Sequence, residues 1–136
     1  MISAILVSHS PKITDGLKEM IEEMTGRHEG IKILSVGGTE DGRIGTDPVK
    51  ILEVIQEEST SDYIYLYGDL GSGILSIETA LDLIEDETLR EKTHYISGPL
   101  VEGAFAGIIQ CLVDPTPEAV KREVLSSIHL MLEEND

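Results

Sequence analysis

The residues able to do chemistry in this chain stand where apolar runs give way to serine, histidine and glycine. His9 comes first, within Val7-Ser8-His9-Ser10-Pro11. A histidine past the end of a strand and at the mouth of a helix can accept and hold a phosphoryl group. The free N–H groups and positive partial charge of the helix start suit the anion. Asp69, in Asp69-Leu70-Gly71-Ser72-Gly73, can orient it. A carboxylate hydrogen-bonded to one imidazole nitrogen fixes the tautomer and leaves the other nitrogen as the nucleophile. Gly71 and Gly73 would let backbone N–H groups approach a phosphate closely. Ser72 and Thr46 could add hydroxyl donors, and Ser10 joins this phosphate-binding set beside His9. Plainer readings exist for each: an ordinary loop histidine, an aspartate that only caps a helix, glycines that only serve a turn.

These loops need a scaffold that brings them together, and hydrophobic periodicity supplies one. Ile2 to Leu6 reads as a buried strand leading to Val7, and Ser10-Pro11 starts a helix by serine capping and proline at the first helical position. That helix runs to about Gly26 with Ile13, Leu17, Met20, Ile21 and Met24 on its apolar face. Ile31–Val36 reads as a second strand, followed by a long loop over 37–46. Asp47-Pro48 begins a helix with Val49, Leu52, Val54 and Ile55 at apolar positions. Asp62–Tyr67 is a third strand, followed by a helix through Ile74, Ile77, Leu81 and Ile84. Thr93–Ser97 is a shorter fourth strand. Leu100–Leu112 reads as a helix whose Ala104, Ala106 and Gly107 allow close packing. The last helix runs from the Asp114–Pro117 turn to about Glu133, with Val120, Val124, Ile128 and Met131 apolar.

The order βαβαβαβαα predicts an α/β fold: an open, mainly parallel sheet of four strands or slightly more, with helices on both faces. In such a sheet the loops after strands one, two and three leave at one edge. His9 and Asp69 meet if strands one and three are neighbours, the usual arrangement at a switch point.

Composition narrows the partners. The chain has 136 residues and a formal net charge of −16, which argues against nucleic acid and against anionic membrane surfaces. No apolar run is long enough to span a bilayer, and the apolar start lacks the basic flank of a signal peptide, so a cytoplasmic location is expected. The single cysteine, Cys111, reads as a small buried hydrophobe. His28, His94 and His129 read as structural or exposed, since no pair has metal-ligand spacing. The Met20/Met24 pair reads as helical core. No loop matches a P-loop or a dinucleotide fingerprint, so neither cofactor nor metal is expected.

Val7-Ser8-His9-Ser10, Ile44-Gly45-Thr46-Asp47, Asp69-Leu70-Gly71-Ser72 and Pro99-Leu100-Val101-Glu102-Gly103 occur in this order across essentially the whole chain. Together they resemble the mannose-type EIIA family of the bacterial sugar phosphotransferase system. Within it, the resemblance is to the phosphotransferase subunits (DhaM) of dihydroxyacetone kinase. The resemblance implies an EIIA-mannose-like fold, with residues 1–136 as one phosphocarrier domain. It also implies a phosphohistidine carrier with His9 phosphorylated and Asp69 orienting it. The donor would be phospho-HPr, charged from phosphoenolpyruvate by enzyme I. The acceptor would be ADP on the kinase subunit DhaL, which serves dihydroxyacetone on DhaK. A homodimer is expected on the same ground. The chain carries no HPr-like or enzyme I-like portion, so a separate donor protein is expected. Gly73 and Gly98 stand where some relatives have alanine.

Other readings stay open on the sequence. A carrier of this family could serve a mannose- or gluconate-type transporter. Asp69 could be the acceptor of a receiver-type phosphoaspartate domain, although Ser8, His9 and Ser10 stand where its acidic magnesium ligands would be. A histidine-containing chelatase or phosphohydrolase, or a regulatory module without catalysis, would make different use of His9.

Overall fold

The structure is a computed structural model that describes residues 1–134. Four strands, β1 (Ile2–Ser8), β2 (Ile31–Gly37), β3 (Tyr63–Gly68) and β4 (Thr93–Tyr95), form one sheet in the order β2-β1-β3-β4. All three pairings are parallel. Helices α1 (Pro11–Thr25), α2 (Pro48–Glu57), α3 (Leu70–Asp82), α4 (Glu87–Glu91), α5 (Leu100–Cys111) and α6 (Pro117–Glu134) cover both faces. The sheet thus takes the predicted form, with β1 beside β3.

The two-residue period of the strands sorts their side chains into two cores. Ala4, Leu6, Tyr65 and Tyr67 face α1, α5 and α6, where they meet Leu17, Ile21, Ala104, Ile108, Val120 and Val124. Ile5, Val7, Ile64 and Leu66 face the other way, onto Ile51 and Ile55 of α2 and Ile77 and Ala80 of α3. Every residue of β1 is buried, as a central parallel strand covered on both faces requires.

Several local expectations are corrected. On α1 the buried stripe is Thr14, Leu17 and Ile21. Ile13, Met20 and Met24 are exposed, so the two methionines are not core. The helix is rotated so that the 14/17/21 row meets the sheet and the 13/20/24 row flanks it, within reach of solvent. On α2 the buried positions are Ile51 and Ile55, while Val49 is exposed. Met131 of α6 is about one-third exposed and so is not a core residue, and Ile84 is buried just beyond the end of α3. Strand β4 stops at Tyr95, two residues early. The short α4 was not foreseen: its stretch is mostly charged, and only Leu89 is buried. Ser10 occupies the N-cap position of α1 but its side chain makes no capping bond; its carbonyl accepts from the Ile13 and Thr14 amides instead. Asp47 does cap α2, accepting from the Val49 amide at 2.9 Å.

Gly107 of α5 sets how closely that helix approaches β3. A Cβ there would collide with the Tyr67 hydroxyl. That hydroxyl is buried and has no hydrogen-bond partner. Gly107→Ala is therefore expected to overpack the sheet–α5 contact and to cost about 1–3 kcal/mol. Chemical denaturation should show a lower midpoint with an unchanged slope. Tyr67→Phe, which removes the unpartnered oxygen, should be neutral or better by the same measurement.

Candidate functional site

Parallel pairing places the ends of β1 and β3 side by side, with Val7 opposite Gly68. The chain leaves β1 at Ser8, which is fully buried, and His9 is the first residue clear of the sheet. Two backbone bonds hold the turn there. The Gly45 amide donates to the His9 carbonyl at 2.8 Å, and the Asp69 amide donates to the Val7 carbonyl at 3.2 Å. The first ties the loop after β2 to the site; the second ties the start of α3 to the end of β1.

Asp69 stands at the N-cap position of α3, yet its carboxylate makes no capping bond. Both of its oxygens turn to the β1 edge. Oδ2 accepts from the Ser8 hydroxyl at 2.8 Å and from the His9 amide at 3.2 Å. Oδ1 lies 2.9 Å from His9 Nδ1. The side chains of His9 and Asp69 are only 22% and 16% exposed, so the pair is well screened from water. Burial works against the Asp69 charge. The Ser8 hydroxyl, the His9 ring and the His9 amide outweigh it together and hold the carboxyl below its ordinary range.

A carboxylate can only accept, so the network puts the His9 proton on Nδ1 and leaves the lone pair on Nε2. Ser72 Oγ lies 2.6 Å from Nε2 and can donate to it. The arrangement is an oriented nucleophilic nitrogen whose free side opens onto the first turn of α3. Gly73 lies behind the pair: a Cβ there would come within 3.0 Å of Asp69 Oδ1 and 3.4 Å of His9 Cε1.

The remaining expected residues take distinct places. Gly71 is exposed in the first turn of α3, with open space where a side chain would go. Ser10 is half-buried beside His9, and its amide donates to Ser8 Oγ at 3.2 Å. Thr46 makes no hydrogen bond to His9; its hydroxyl pairs at 2.6 Å with that of Ser76, one turn along α3 from Ser72. Sequence reasoning missed Ser8 and Gly45 as supports. A serine ending an otherwise apolar strand was the available signal for Ser8. Lys50 was also missed: its ammonium donates to the Gly37 and Thr39 carbonyls at 3.1 and 3.2 Å and braces the long loop.

The other histidines lie elsewhere. His28 is exposed at the end of α1 and bonds the Thr25 carbonyl at 2.9 Å, and His129 is exposed on α6. His94 is half-buried against the Tyr65 ring. Burial, with Lys121 nearby, makes His94 harder to protonate, against a smaller pull from Glu118. Cys111 is buried, and burial pushes its thiol up to about 12, which suits a small hydrophobe. Among the described residues no three His, Cys, Asp or Glu side chains are grouped to hold a metal ion. None of the described helices is long and apolar enough to cross a membrane.

Comparison with known proteins points the same way as the geometry. A family model, EIIA-man (PTS system fructose IIA component), matches residues 3–121. The phosphoryl donor subunit DhaM of PEP-dependent dihydroxyacetone kinase 2 from Listeria innocua is 52% identical over 129 residues, covering 95% of this chain and 100% of that one. The corresponding DhaM subunit from Providencia stuartii is 47% identical over 108 residues, 78% of this chain but only 22% of that longer protein. The crystal structure of a protein of unknown function superposes with a TM-score of 0.81 at 43% identity, covering 90% of this chain and 92% of that one.

Proposed function

Because this chain belongs to the EIIA-man family, we propose that it is a phosphohistidine carrier that donates phosphoryl groups to a dihydroxyacetone kinase. The observation that carries the proposal is the Asp69–His9 contact, which leaves the lone pair on Nε2, facing Ser72 at the mouth of α3. The relatives called DhaM, one of them similar over its full length, support the choice of kinase over transporter.

In the loading step His9 Nε2 attacks the phosphorus carried by HPr. The new N–P bond forms as the donor's own bond to phosphorus breaks, and the electron pair of that bond returns to the donor. The Nδ1 proton stays between His9 and Asp69, whose negative charge stabilises the ring as it gains the phosphoryl group. Ser72 must turn from Nε2 as the group arrives, and its hydroxyl then donates to a phosphoryl oxygen. The amides of the first turn of α3, around Gly71, supply further donors to the same charge. In the unloading step a β-phosphate oxygen of ADP on DhaL attacks the phosphorus, and Nε2 recovers its lone pair. Residues 1–136 act here as one carrier domain, working as a homodimer, with DhaK holding the substrate.

Donor and acceptor must approach one imidazole nitrogen, so they bind in turn through the same loop edge. Such docking is brief and its interface small, since tight binding would block turnover. With a net charge of −16, encounter with basic partner surfaces is speeded electrostatically, and transfer should slow as salt is raised. Stopped-flow rates across a salt series check this; a flat profile would remove the electrostatic contribution.

The carrier reading is tested by ATP formation. Phosphorylated protein mixed with ADP-loaded DhaL should yield ATP, and phosphorylated protein mixed with free ADP should yield none. Rapid ATP formation from free ADP alone would mean a nucleotide site on this chain and would overturn the reading.

A further inference from the structure

Leu70 combines two features that do not serve the fold. Its φ of 50° is the only positive value on a non-glycine among the described residues, and it is 70% exposed. Left-handed backbone disfavours a residue with a Cβ, and glycine would meet no such cost. An exposed leucine recovers little of that cost through burial. Within this chain alone, the leucine side chain has no return.

Its surroundings show where a return could come from. Leu70 lies between Asp69, which holds His9 Nδ1, and Ser72, which touches Nε2. Ile44 is 76% exposed and adjoins Gly45, whose amide holds the His9 carbonyl. Ile13 at the start of α1 and Leu75 on α3 are exposed as well. An apolar rim drawn from three segments therefore borders the nucleophile.

We propose that Leu70 is a docking residue that inserts into an apolar recess on the HPr-type protein that phosphorylates His9. The proposal rests on the carrier reading above. Transfer to Nε2 brings the donor's phosphorus within bonding distance of that atom, so the donor's surface must cover the first turn of α3. None of the hydrogen bonds found at His9 and Asp69 comes from lysine or arginine. A donor with an apolar recess ringed by basic residues complements both the rim and the acidic chain.

The test is the initial rate of His9 phosphorylation against phospho-HPr concentration, with a melting curve for each variant. Leu70→Gly and Leu70→Ala should raise KM for phospho-HPr by about tenfold, as loss of a central apolar anchor does, with kcat nearly unchanged. Leu70→Gly should melt no lower than the parent, because glycine accepts the left-handed backbone. Leu70→Met should restore most of the affinity. An unchanged KM in Leu70→Gly and Leu70→Ala overturns the docking role and leaves the carrier reading standing. A fall in kcat at constant KM also overturns it, and makes Leu70 a support for the His9–Asp69 pair. An effect confined to the later transfer to DhaL overturns the assignment to the donor. Failure of the parent protein to accept phosphoryl from phospho-HPr overturns the carrier reading and this proposal with it.

Discussion

A His9→Ala chain is expected to take up no phosphoryl group from phosphoenolpyruvate, enzyme I and HPr, under conditions that should label the parent protein on one histidine. This is the largest effect expected of any single substitution. His9 is the only one of the four histidines held by a carboxylate on one nitrogen with the other nitrogen presented at a helix start. His28 is exposed in the turn after α1, His129 is exposed on α6, and His94 is packed against Tyr65 on the short edge strand. His28 has the Thr25 carbonyl on one ring nitrogen, but it lies in the turn before β2 and not at a helix start. The fold should survive the substitution, since His9 lies outside the strand and neither apolar core includes it. The label should be stable in alkali and labile in acid, as a phosphoramidate is. Peptide mapping after brief labelling is the measurement. Label retained by the His9→Ala protein would move the chemistry to another residue.

Asp69→Ala should slow phosphoryl uptake by about 100-fold or more, by analogy with losing the group that orients a catalytic imidazole. The loss is large because Asp69 does two things at once. It fixes the Nδ1 proton, and through Oδ2 it holds the Ser8 hydroxyl and the His9 amide, so the turn that carries His9 is fastened to it. Asp69→Asn separates the two roles. The amide can still meet the backbone and Ser8, but it carries no charge and can offer its NH₂ to Nδ1, which favours the wrong tautomer. Rapid-quench rates should place Asn close to Ala if tautomer control dominates. The pH dependence follows from the direction of the Asp69 shift. Its carboxyl titrates lower in the folded protein than in the unfolded chain. Its contribution to stability is therefore fully present above the ordinary carboxylate range and is lost as pH falls through the folded value. Acid unfolding of Asp69→Asn should accordingly lack that component, at a pH below about 4. Unchanged transfer in Asp69→Ala would show that the two side chains are not coupled.

Much of this was legible in the sequence because strand ends announce themselves. Apolar runs that stop at Ser8-His9 and at Gly68-Asp69, with helices between them, suffice to put both residues on one edge of a parallel sheet. The helix faces were read less well. On α1 an apolar residue stands at nearly every position of a broad stripe, and hydrophobicity alone does not say which row meets the sheet. Thr14 is buried there while Met20 and Met24 are not, because contact with β2 and not polarity decides the rotation. Capping shows the same limit. Ser10 and Asp69 have the types of capping residues and occupy capping positions, yet neither side chain caps its helix. The Asp69 carboxylate is drawn to His9 and Ser8 by tertiary contacts that no local rule contains. Thr46 was expected as a hydroxyl donor and instead pairs with Ser76, one helical turn from Ser72. The left-handed conformation of Leu70 left no trace in composition, since leucine is among the residues least expected there.

The pairing of β1 with β3 has a consequence for the chain while it is being made. His9 and Asp69 are 60 residues apart, and the whole of β2 and α2 lies between them. At ordinary elongation rates those residues take roughly 3–12 seconds to synthesise. Throughout that interval His9 is already made but its carboxylate partner is not, so its imidazole is free to adopt either tautomer. The reactive nitrogen is thus defined only once the third strand has docked against the first. A nascent or half-degraded chain therefore presents an ordinary histidine, without the orientation that Asp69 gives it in the complete fold.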